Sequence, residues 1–229
     1  MINVSPAAIS MGVNPRYTFV DVIQNFHRLD EELFLSFLEV NDSGVYVLAS
    51  PLTRVGIDAP VEEEIHRLIE FCRQVFDYLV VDGGSVLSSC HEQLVQDSDD
   101  RLMVVTPDLP SLRNLRKALD LHGRTNGKPP PQLVLNQYKE GMGLTLRDVE
   151  DGLGQRIALV LEKDDLRVIE SINVGRPEVQ VGRSGFAKKL MDFGRKLAGP
   201  EVVVTPSKSL LSRFRRPPAA KSKSEEEAK

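Results

Sequence analysis

Residues that commonly build a metal centre, a disulfide framework or a membrane span are scarce in this sequence. Among its 229 residues there are two cysteines, Cys72 and Cys90, in separate segments without the spacing of a zinc site. Two isolated thiols favour a protein of the reducing cytoplasm. No apolar run approaches membrane-spanning length, and the first residues lack the basic and apolar parts of a signal peptide. The sequence therefore indicates a cytoplasmic protein without a disulfide framework.

Charge of one sign and clustered catalytic residues are equally scarce. The formal net charge is −4, which gives no reason to expect binding to a nucleic acid. The histidines are scattered, and Ser88 and Ser89 do not lie in the Gly-x-Ser-x-Gly elbow of a serine hydrolase. A hydrophobic content of 41% is ordinary for a globular protein, and the length suffices for one sizeable domain, which we assign to residues 1–199.

Apolar runs that end on turn residues alternate along the chain with segments of helical periodicity. The predicted strands are 45–49, 79–81, 102–106, 132–136 and 157–161. Such alternation predicts an α/β fold with a doubly wound, mostly parallel sheet and helices on both faces. We expect the strand at 79–81 to be buried on both faces, because it is a continuous apolar run.

Short polar signals mark the predicted helix boundaries. Thr18, with the aspartate three residues later, forms a capping box for a helix that extends to residue 38 with a break near Arg28. Thr145 begins another helix in the same way, and Gly154 ends it. We expect the acidic residues 97–100 to form a solvated turn.

Polar side chains follow three of the predicted strands: Asp82, Thr106 and Asn136. In a parallel sheet the carboxyl ends of the strands meet at one edge, where open α/β sheets bind their ligands. Asp82, followed by two glycines, either supports magnesium as in nucleoside-triphosphatases or only caps a turn. Asn136 either donates and accepts at a purine edge or bonds its own backbone in a turn.

Six segments carry a resemblance to a known family. They are 15–30 (PRYTFVDVIQNFHRLD), 44–51 (GVYVLASP), 77–82 (DYLVVD), 106–114 (TPDLPSLRN), 134–138 (VLNQY) and 172–177 (INVGRP). From about Tyr17 to Leu197 the chain resembles the MinD/ParA group of deviant Walker ATPases. The segments 28–30 and 108–114 are similar to the pilus-assembly branch of that group, the CpaE/TadZ type of the Flp (tight adherence) system.

This resemblance implies a site for ATP and magnesium and gives roles to particular residues. Asp82 is the implied catalytic acid, which holds magnesium indirectly, and Asn136 is the implied adenine contact. Thr106 and Asp164 belong to the same implied nucleotide site. The resemblance also implies ATP-dependent dimers, contacts with pilus or secretion machinery, and a location at the inner membrane or cell pole.

Two features depart from the family pattern. The 229 residues contain no Gly-x-x-x-x-Gly-Lys-Ser/Thr loop, which supplies the backbone N–H groups that hold phosphates. The family carries that loop on a first strand, and the residues after Met1 resemble a later segment, so we expect an N-terminally truncated domain without that strand. Glu162 stands where the family usually has proline. We expect little ATP hydrolysis, and two hypotheses stay open: an ATPase of pilus assembly, or a non-catalytic scaffold of the same fold.

Residues 200–229 are rich in Ser, Pro, Lys and Glu, a composition typical of disorder. A basic amphipathic segment lies within them. If it is helical, Leu210, Leu211 and Phe214 share one face, with basic residues that include Arg213 and Arg215 around it. Such an element binds anionic membrane surfaces, and it is similar to the membrane-targeting tail of MinD-like proteins. The alternative is a solvated basic linker.

Overall fold

The computed structural model describes residues 7–51, 60–84, 89–122, 128–141, 143–181 and 184–199. The helices are α1 (Ala7–Ser10), α2 (Phe19–Gln24), α3 (Glu31–Ser36), α4 (Glu62–Val75), α5 (Ser89–Asp97), α6 (Leu109–His122), α7 (Leu146–Leu153), α8 (Asp165–Val174), α9 (Glu178–Val181) and α10 (Gly185–Ala198). The strands are β1 (Glu39–Val40), β2 (Tyr46–Val47), β3 (Leu102–Val105), β4 (Gln132–Tyr138) and β5 (Ile157–Glu162). In the described ranges, every helix is too short or too polar to cross a membrane.

A parallel sheet forms the centre of the C-terminal part of the chain. Its strands lie in the order β3-β4-β5, with Val104 opposite Val134 and Leu135 opposite Val160. Each of these strands is followed by a helix, so the connections are crossovers of the βαβ type. The predicted α/β fold with a parallel sheet is confirmed.

Helices cover both faces of the central strand β4. Leu133 and Leu135 are buried on one face with Val149 of α7 and with residues of α6. Val134 is buried on the opposite face, against Phe193 of α10. The alternation of successive side chains across a strand explains how one apolar run supplies both cores.

The N-terminal part of the chain has its own core, built mainly from helices. A short 3-10 turn (Phe26–Arg28) separates α2 from α3, which confirms the predicted break in the helix. Asp30 begins α3 and accepts a hydrogen bond from the Leu33 backbone N–H at 2.8 Å. The buried members of this core share an apolar character and come from α2, α3 and α4: Val22, Phe34, Phe37, Leu38, Leu68 and Cys72.

Two strand predictions for the N-terminal part are wrong in their details. Only β2, within the predicted strand 45–49, forms a ladder, and it pairs antiparallel with β1. Residues 79–81 form no ladder with any described residue, and they are 41%, 94% and 46% exposed instead of buried. The physical reason is that a strand is buried on both faces only when strands flank it and helices cover it, and the described sheet ends at β3.

Strand β3 shows the same effect at the edge of the described sheet. The predicted strand is confirmed from Leu102 to Val105, but Leu102 and Val104 are exposed while Val105 is buried. Val104 points to the same face as its partner Val134, and α10 reaches only Val134. On β3 the exposed and buried residues therefore alternate.

Both predicted helix-start signals are present. The Asp148 carboxylate accepts the Thr145 backbone N–H at 2.8 Å, and the Asp148 N–H donates to the Thr145 hydroxyl at 3.2 Å. At α2, the carboxylate three residues after Thr18 accepts from the Thr18 N–H at 2.7 Å and from its hydroxyl at 2.8 Å. Gly154 ends α7 with a φ of 69°, the left-handed conformation that favours glycine.

Candidate functional site

The sheet topology brings three of the predicted site residues to one edge. Thr106 directly follows β3, Asn136 lies near the carboxyl end of β4, and Asp164 follows β5 by two residues. Because these strands are parallel neighbours, their carboxyl ends form one edge, which we call the carboxyl edge. Asp82 follows the residues that form no ladder, so the strand pairing does not place it at the carboxyl edge.

Thr106 lies in a tight turn between β3 and α6. Its hydroxyl donates to the Asp108 carboxylate and lies 2.9 Å from the Ser111 hydroxyl. The Ser111 backbone N–H also donates to Asp108, at 2.9 Å. The Thr106 hydroxyl and then the Ser111 amide hold the pKa of Asp108 below its ordinary value. Sequence reasoning missed the role of Asp108 as the cap of α6, although an Asp just before a helix is a recognised signal.

Asn136 lies in a β-bulge. Leu135 pairs with Val160 and Tyr138 pairs with Glu162, so two residues of β4 lie opposite one residue of β5. Gln137, the second bulge residue, has a φ of 58°, a conformation that costs a non-glycine residue about 1–2 kcal/mol. Bulges and strained backbone of this kind occur preferentially beside functional sites.

The bulge also determines what the Asn136 side chain can bind. Its Oδ1 accepts the backbone N–H of Gln137 at 3.0 Å, as the turn interpretation predicted. Its amide nitrogen makes no hydrogen bond within the described part of the chain, so it can donate to a ligand. The two interpretations of Asn136 are compatible, because the turn contact uses one lone pair of Oδ1 and leaves the other lone pair and the amide nitrogen for a purine edge.

Asp164 lies at the N-cap position of α8, where its side chain forms an ion pair and makes no capping hydrogen bond. Its carboxylate lies 3.2 Å from Nε of Arg167, and Arg167 also lies 3.7 Å from the largely buried carboxylate of Glu178. Asp164 and Arg167 line a cleft of about 360 Å³ between the end of β5 and the start of α10. Its lining residues are Glu162, Lys163, Asp164, Arg167, Ser184, Gly185, Phe186 and Lys189.

Glu162, singled out in the sequence as a departure from the resemblance, makes an ion pair in the structure. Nζ of Lys189 in α10 donates to the Glu162 carboxylate at 2.8 Å. The hydrogen bond and the positive charge of Lys189 lower the pKa of Glu162. Glu162 therefore provides an exposed ion pair between β5 and α10.

Asp82 is exposed, and its carboxylate accepts the backbone N–H of Gly84 at 3.0 Å. This contact matches the interpretation of Asp82 as a turn residue. Across the described ranges, no three His, Cys, Asp or Glu side chains lie close enough together to hold a metal ion. A magnesium ion at Asp82 would therefore need oxygen ligands from phosphates and water, as is common for this ion.

The carboxyl edge fits a nucleobase better than a triphosphate. Asn136 offers an amide donor for a base, but the N-terminus of α6 at this edge is capped by the Asp108 carboxylate. Asp164, at the start of α8, makes no capping hydrogen bond but adds a second negative charge. Helix N-termini attract phosphates through their free N–H groups and positive dipole end. A carboxylate at that position competes with a phosphate for the same groups and repels it.

Two other groups singled out by the sequence serve the structure. Burial raises the pKa of the Cys72 thiol to about 11, so this thiol is unreactive, as predicted. Asp97, in contrast, is not the solvated residue that we expected. Its largely buried carboxylate lies 3.0 Å from Nδ1 of His66 and joins α5 to α4. The proposed membrane residues Leu210, Leu211, Arg213, Phe214 and Arg215 lie outside the described residues.

Sequence comparison relates the chain to MinD proteins. No protein-family model matches it. The "septum site-determining protein MinD" of Bacillus subtilis (strain 168) is 22% identical over 201 residues, covering 85% of this chain and 74% of that protein. The protein of the same name from Thermotoga maritima is 25% identical over 219 residues, covering 89% and 78%.

Solved structures give the same relationship for the fold. A ParA family ATPase from Chlorobium tepidum TLS has a TM-score of 0.75 at 22% identity, covering 81% of this chain and 78% of that one. MinD of Pyrococcus horikoshii OT3 complexed with Mg-ADP has a TM-score of 0.71 at 18% identity, covering 86% and 82%. The fold is thus the α/β fold of MinD and ParA proteins, and together the comparisons support placing the chain in the MinD/ParA-like ATPase superfamily.

Proposed function

We propose that this protein positions or assembles a Flp-type pilus or secretion machine, and that its own binding of ATP is weak. The observation that carries the proposal is the carboxyl edge, where Thr106, Asn136 and Asp164 follow three neighbouring parallel strands of a MinD-like fold. The resemblance of segments 28–30 and 108–114 to the pilus-assembly branch supports the pilus role over the septum role named for the MinD relatives.

A nucleotide would use this edge in a specific way. Asn136 donates to the adenine, Thr106 and Asp164 line the site, and Asp82 acts as the catalytic acid that supports magnesium through water. ATP and magnesium are proposed here because a structure neighbour is a MinD complexed with Mg-ADP. Binding is weak because the Asp108 carboxylate already accepts a backbone N–H at the N-terminus of α6 and the 229 residues lack the phosphate-loop pattern.

The nucleotide part of the proposal is tested by titrating a fluorescent ATP analogue in the presence of magnesium and measuring anisotropy. We expect weak saturable binding to the wild type and about threefold to tenfold weaker binding to Asn136→Ala, which removes one amide hydrogen bond. Asn173→Ala, on the exposed side of α8, is the matched control and should bind like the wild type. Equal affinities of all three proteins would exclude Asn136 from the site.

The second candidate function is a non-catalytic scaffold of the same fold, which acts through protein and membrane contacts. The aspartate cap on α6 favours it, because the Asp108 carboxylate opposes phosphate binding at that helix. Light scattering separates the two candidates. A doubling of mass with Mg-ATP would support the ATPase, whereas a mass that is independent of nucleotide would support the scaffold.

The biological role is tested by deleting the protein in its own cells and counting pili and misplaced septa. The MinD name of the relatives refers to septum placement, and one structure neighbour is a MinC:MinD cell division complex from Aquifex aeolicus. Loss of Flp-type pili with normal septa would support the proposal. Normal pili with misplaced septa would replace it with a role in cell division.

We also propose that residues 207–216 bind the inner membrane through Leu210, Leu211 and Phe214, helped by basic residues such as Arg213 and Arg215. Flotation with anionic liposomes tests this. Phe214→Glu should reduce the floating fraction, because it removes an apolar group and adds a charge that the lipid surface repels. Ser224→Glu, which adds the same charge outside this segment, should float like the wild type. Equal flotation of all three proteins would contradict the membrane role.

A further inference from the structure

The backbone of Gln137 adopts a conformation that is uncommon for a residue with a side chain. Its φ of 58° lies in the left-handed region, where every other described residue with a positive φ is a glycine. Gln137 is exposed, so packing of its own side chain does not impose this conformation. A strained backbone persists only where the surrounding structure holds it.

The pairing between β4 and β5 holds the bulge from both ends. Leu135 pairs with Val160 before the bulge, and Tyr138 pairs with Glu162 after it. The backbone N–H of Lys163 also donates to the carbonyl oxygen of Tyr138, at 3.1 Å. Leu135 is fully buried, which fixes the first end in the core. The extra residue of β4 therefore has to be accommodated between two fixed points.

The conformation of Gln137 determines the orientation of the side chain before it. Its backbone N–H donates to Oδ1 of Asn136, with 3.0 Å between nitrogen and oxygen. A backbone N–H can only donate, so it accepts the oxygen of the carboxamide as its partner and excludes the nitrogen. The contact therefore prevents the carboxamide from adopting the flipped orientation.

A carboxamide of fixed orientation distinguishes adenine from guanine. Adenine presents an acceptor at N7 and a donor at N6, which match the amide nitrogen and the second lone pair of Oδ1. Guanine carries the acceptor O6 in place of the N6 donor, so it opposes Oδ1 with a second acceptor. A carboxamide that is free to flip can turn its nitrogen towards O6, and it then discriminates less between the two bases.

We propose that Gln137 is a positioning residue of the nucleotide site, whose left-handed backbone orients the Asn136 carboxamide and thereby sets a preference for adenine over guanine. This inference rests on the proposed function, because it takes the ligand of Asn136 to be a purine nucleotide. Gln137 acts through its backbone N–H. Its side chain is dispensable, provided that the residue in its place can adopt the same φ.

Two substitutions that remove the same side chain separate the backbone from the side chain. Gln137→Gly keeps the N–H and adopts a positive φ without steric cost, whereas Gln137→Val keeps the N–H but strongly disfavours that φ. Lys139→Val is the matched control, because it places the same β-branched side chain at an exposed position two residues further along. Circular dichroism of each variant shows whether it is folded.

The first measurement is the ratio of affinities for fluorescent ATP and GTP analogues in the presence of magnesium. We expect the wild type, Gln137→Gly and Lys139→Val to prefer the ATP analogue about tenfold, and Gln137→Val to prefer it less than about twofold. A general structural disturbance weakens both analogues alike and leaves the ratio unchanged. A wild-type ratio near one, an unchanged ratio in Gln137→Val, or an equal loss in Gln137→Gly would overturn the positioning role.

The second measurement needs no nucleotide. Three-bond NMR couplings in the ligand-free protein report the χ1 rotamer of Asn136. We expect one rotamer in the wild type and in Gln137→Gly, and an average over rotamers in Gln137→Val. An averaged side chain in the wild type would overturn the inference. If none of the proteins bound either analogue, the nucleotide function and the purine preference would both be excluded, and the couplings would still decide whether Gln137 orients Asn136.

Discussion

Two apolar runs of similar composition behave differently in this molecule. Residues 133–135 (LVL) are 0%, 5% and 0% exposed, whereas residues 79–81 (LVV) are 41%, 94% and 46% exposed. The first run lies between β3 and β5 and beneath helices on both faces. The second run has no described strand beside it. The difference shows that an apolar composition alone does not bury a run. Burial also requires neighbouring strands on its edges and helices on its faces.

The N-terminal core shows how burial can succeed without the parallel sheet. Phe34 is 1% exposed, and its ring packs edge-on against the Phe71 ring with centroids 5.1 Å apart. This core gathers residues of α2, α3 and α4 over a small sequence distance. Residues 79–81 come shortly after α4 in the sequence but are not part of this N-terminal core. Helical periodicity therefore produces local burial, whereas a buried strand depends on partners that are distant in sequence.

The largest expected effect compares the same substitution in the two runs. Leu135→Ala should lower the free energy of unfolding by about 2–5 kcal/mol, because it leaves a cavity in a fully covered site. Leu79→Ala should lower it by less, about 1 kcal/mol, since Leu79 is already 41% exposed and leaves no enclosed cavity. Urea unfolding followed by circular dichroism measures both values.

The difference between the losses in free energy of unfolding of Leu135→Ala and Leu79→Ala tests whether residues 79–81 are covered. A loss of more than about 2 kcal/mol in Leu79→Ala is the value expected of a core position. Such a loss would show that a helix or a partner covers a whole face of residues 79–81.

The next effect compares the capping boxes of the two regions. At α7 the Thr145 hydroxyl accepts the Asp148 backbone N–H, in addition to the bonds that the carboxylate makes. At α2 the Thr18 hydroxyl donates to the carboxylate only. Thr145→Ala should therefore destabilise by about 1 kcal/mol, and Thr18→Ala by less, because no helix amide loses its acceptor there. Thermal unfolding of the two variants measures the order, and the reverse order would contradict these hydrogen-bond assignments.

The fold was predictable where local signals agree with distant neighbours. Sequence patterns predicted five features correctly, because each depends on residues close in sequence. They are the strands β3, β4 and β5, the α7 cap at Thr145 and the break between α2 and α3. The exposure of Val80 could not be predicted from the sequence, because it depends on which segments flank residues 79–81. Neither could the hydrogen bond between His66 and Asp97, since it joins two helices that sequence spacing does not align.

The candidate site was predictable in its location but not in its detail. The carboxyl edge follows from strand order, and Thr106 directly follows β3 as predicted, whereas Asn136 lies two residues before the end of β4 and not at its end. The bulge at Asn136 depends on the register between β4 and β5, and no pattern within β4 announces it. The roles proposed for Asp82, Thr106, Asn136 and Asp164 in nucleotide binding stay predictions, which the titration of Asn136→Ala addresses first.

The smallest expected effect is a pH dependence in the C-terminal region. The hydroxyl and then the backbone N–H of Thr145 donate to Asp148 and lower its pKa in the folded protein. A lowered folded-state pKa means that the stabilisation is complete above the ordinary Asp pKa of about 4 and is lost as the pH falls through the lower, folded-state value. Asp148→Asn should therefore be less stable than the wild type at pH 6, and the difference should shrink at pH 3.

Asp151→Asn is the control, because its exposed carboxylate makes only a surface pair with Arg147 at 3.8 Å. Urea midpoints at both pH values measure the effect. A difference between Asp148→Asn and the wild type that stays constant with pH would mean that the cap acts through its shape and hydrogen bonds, without its charge.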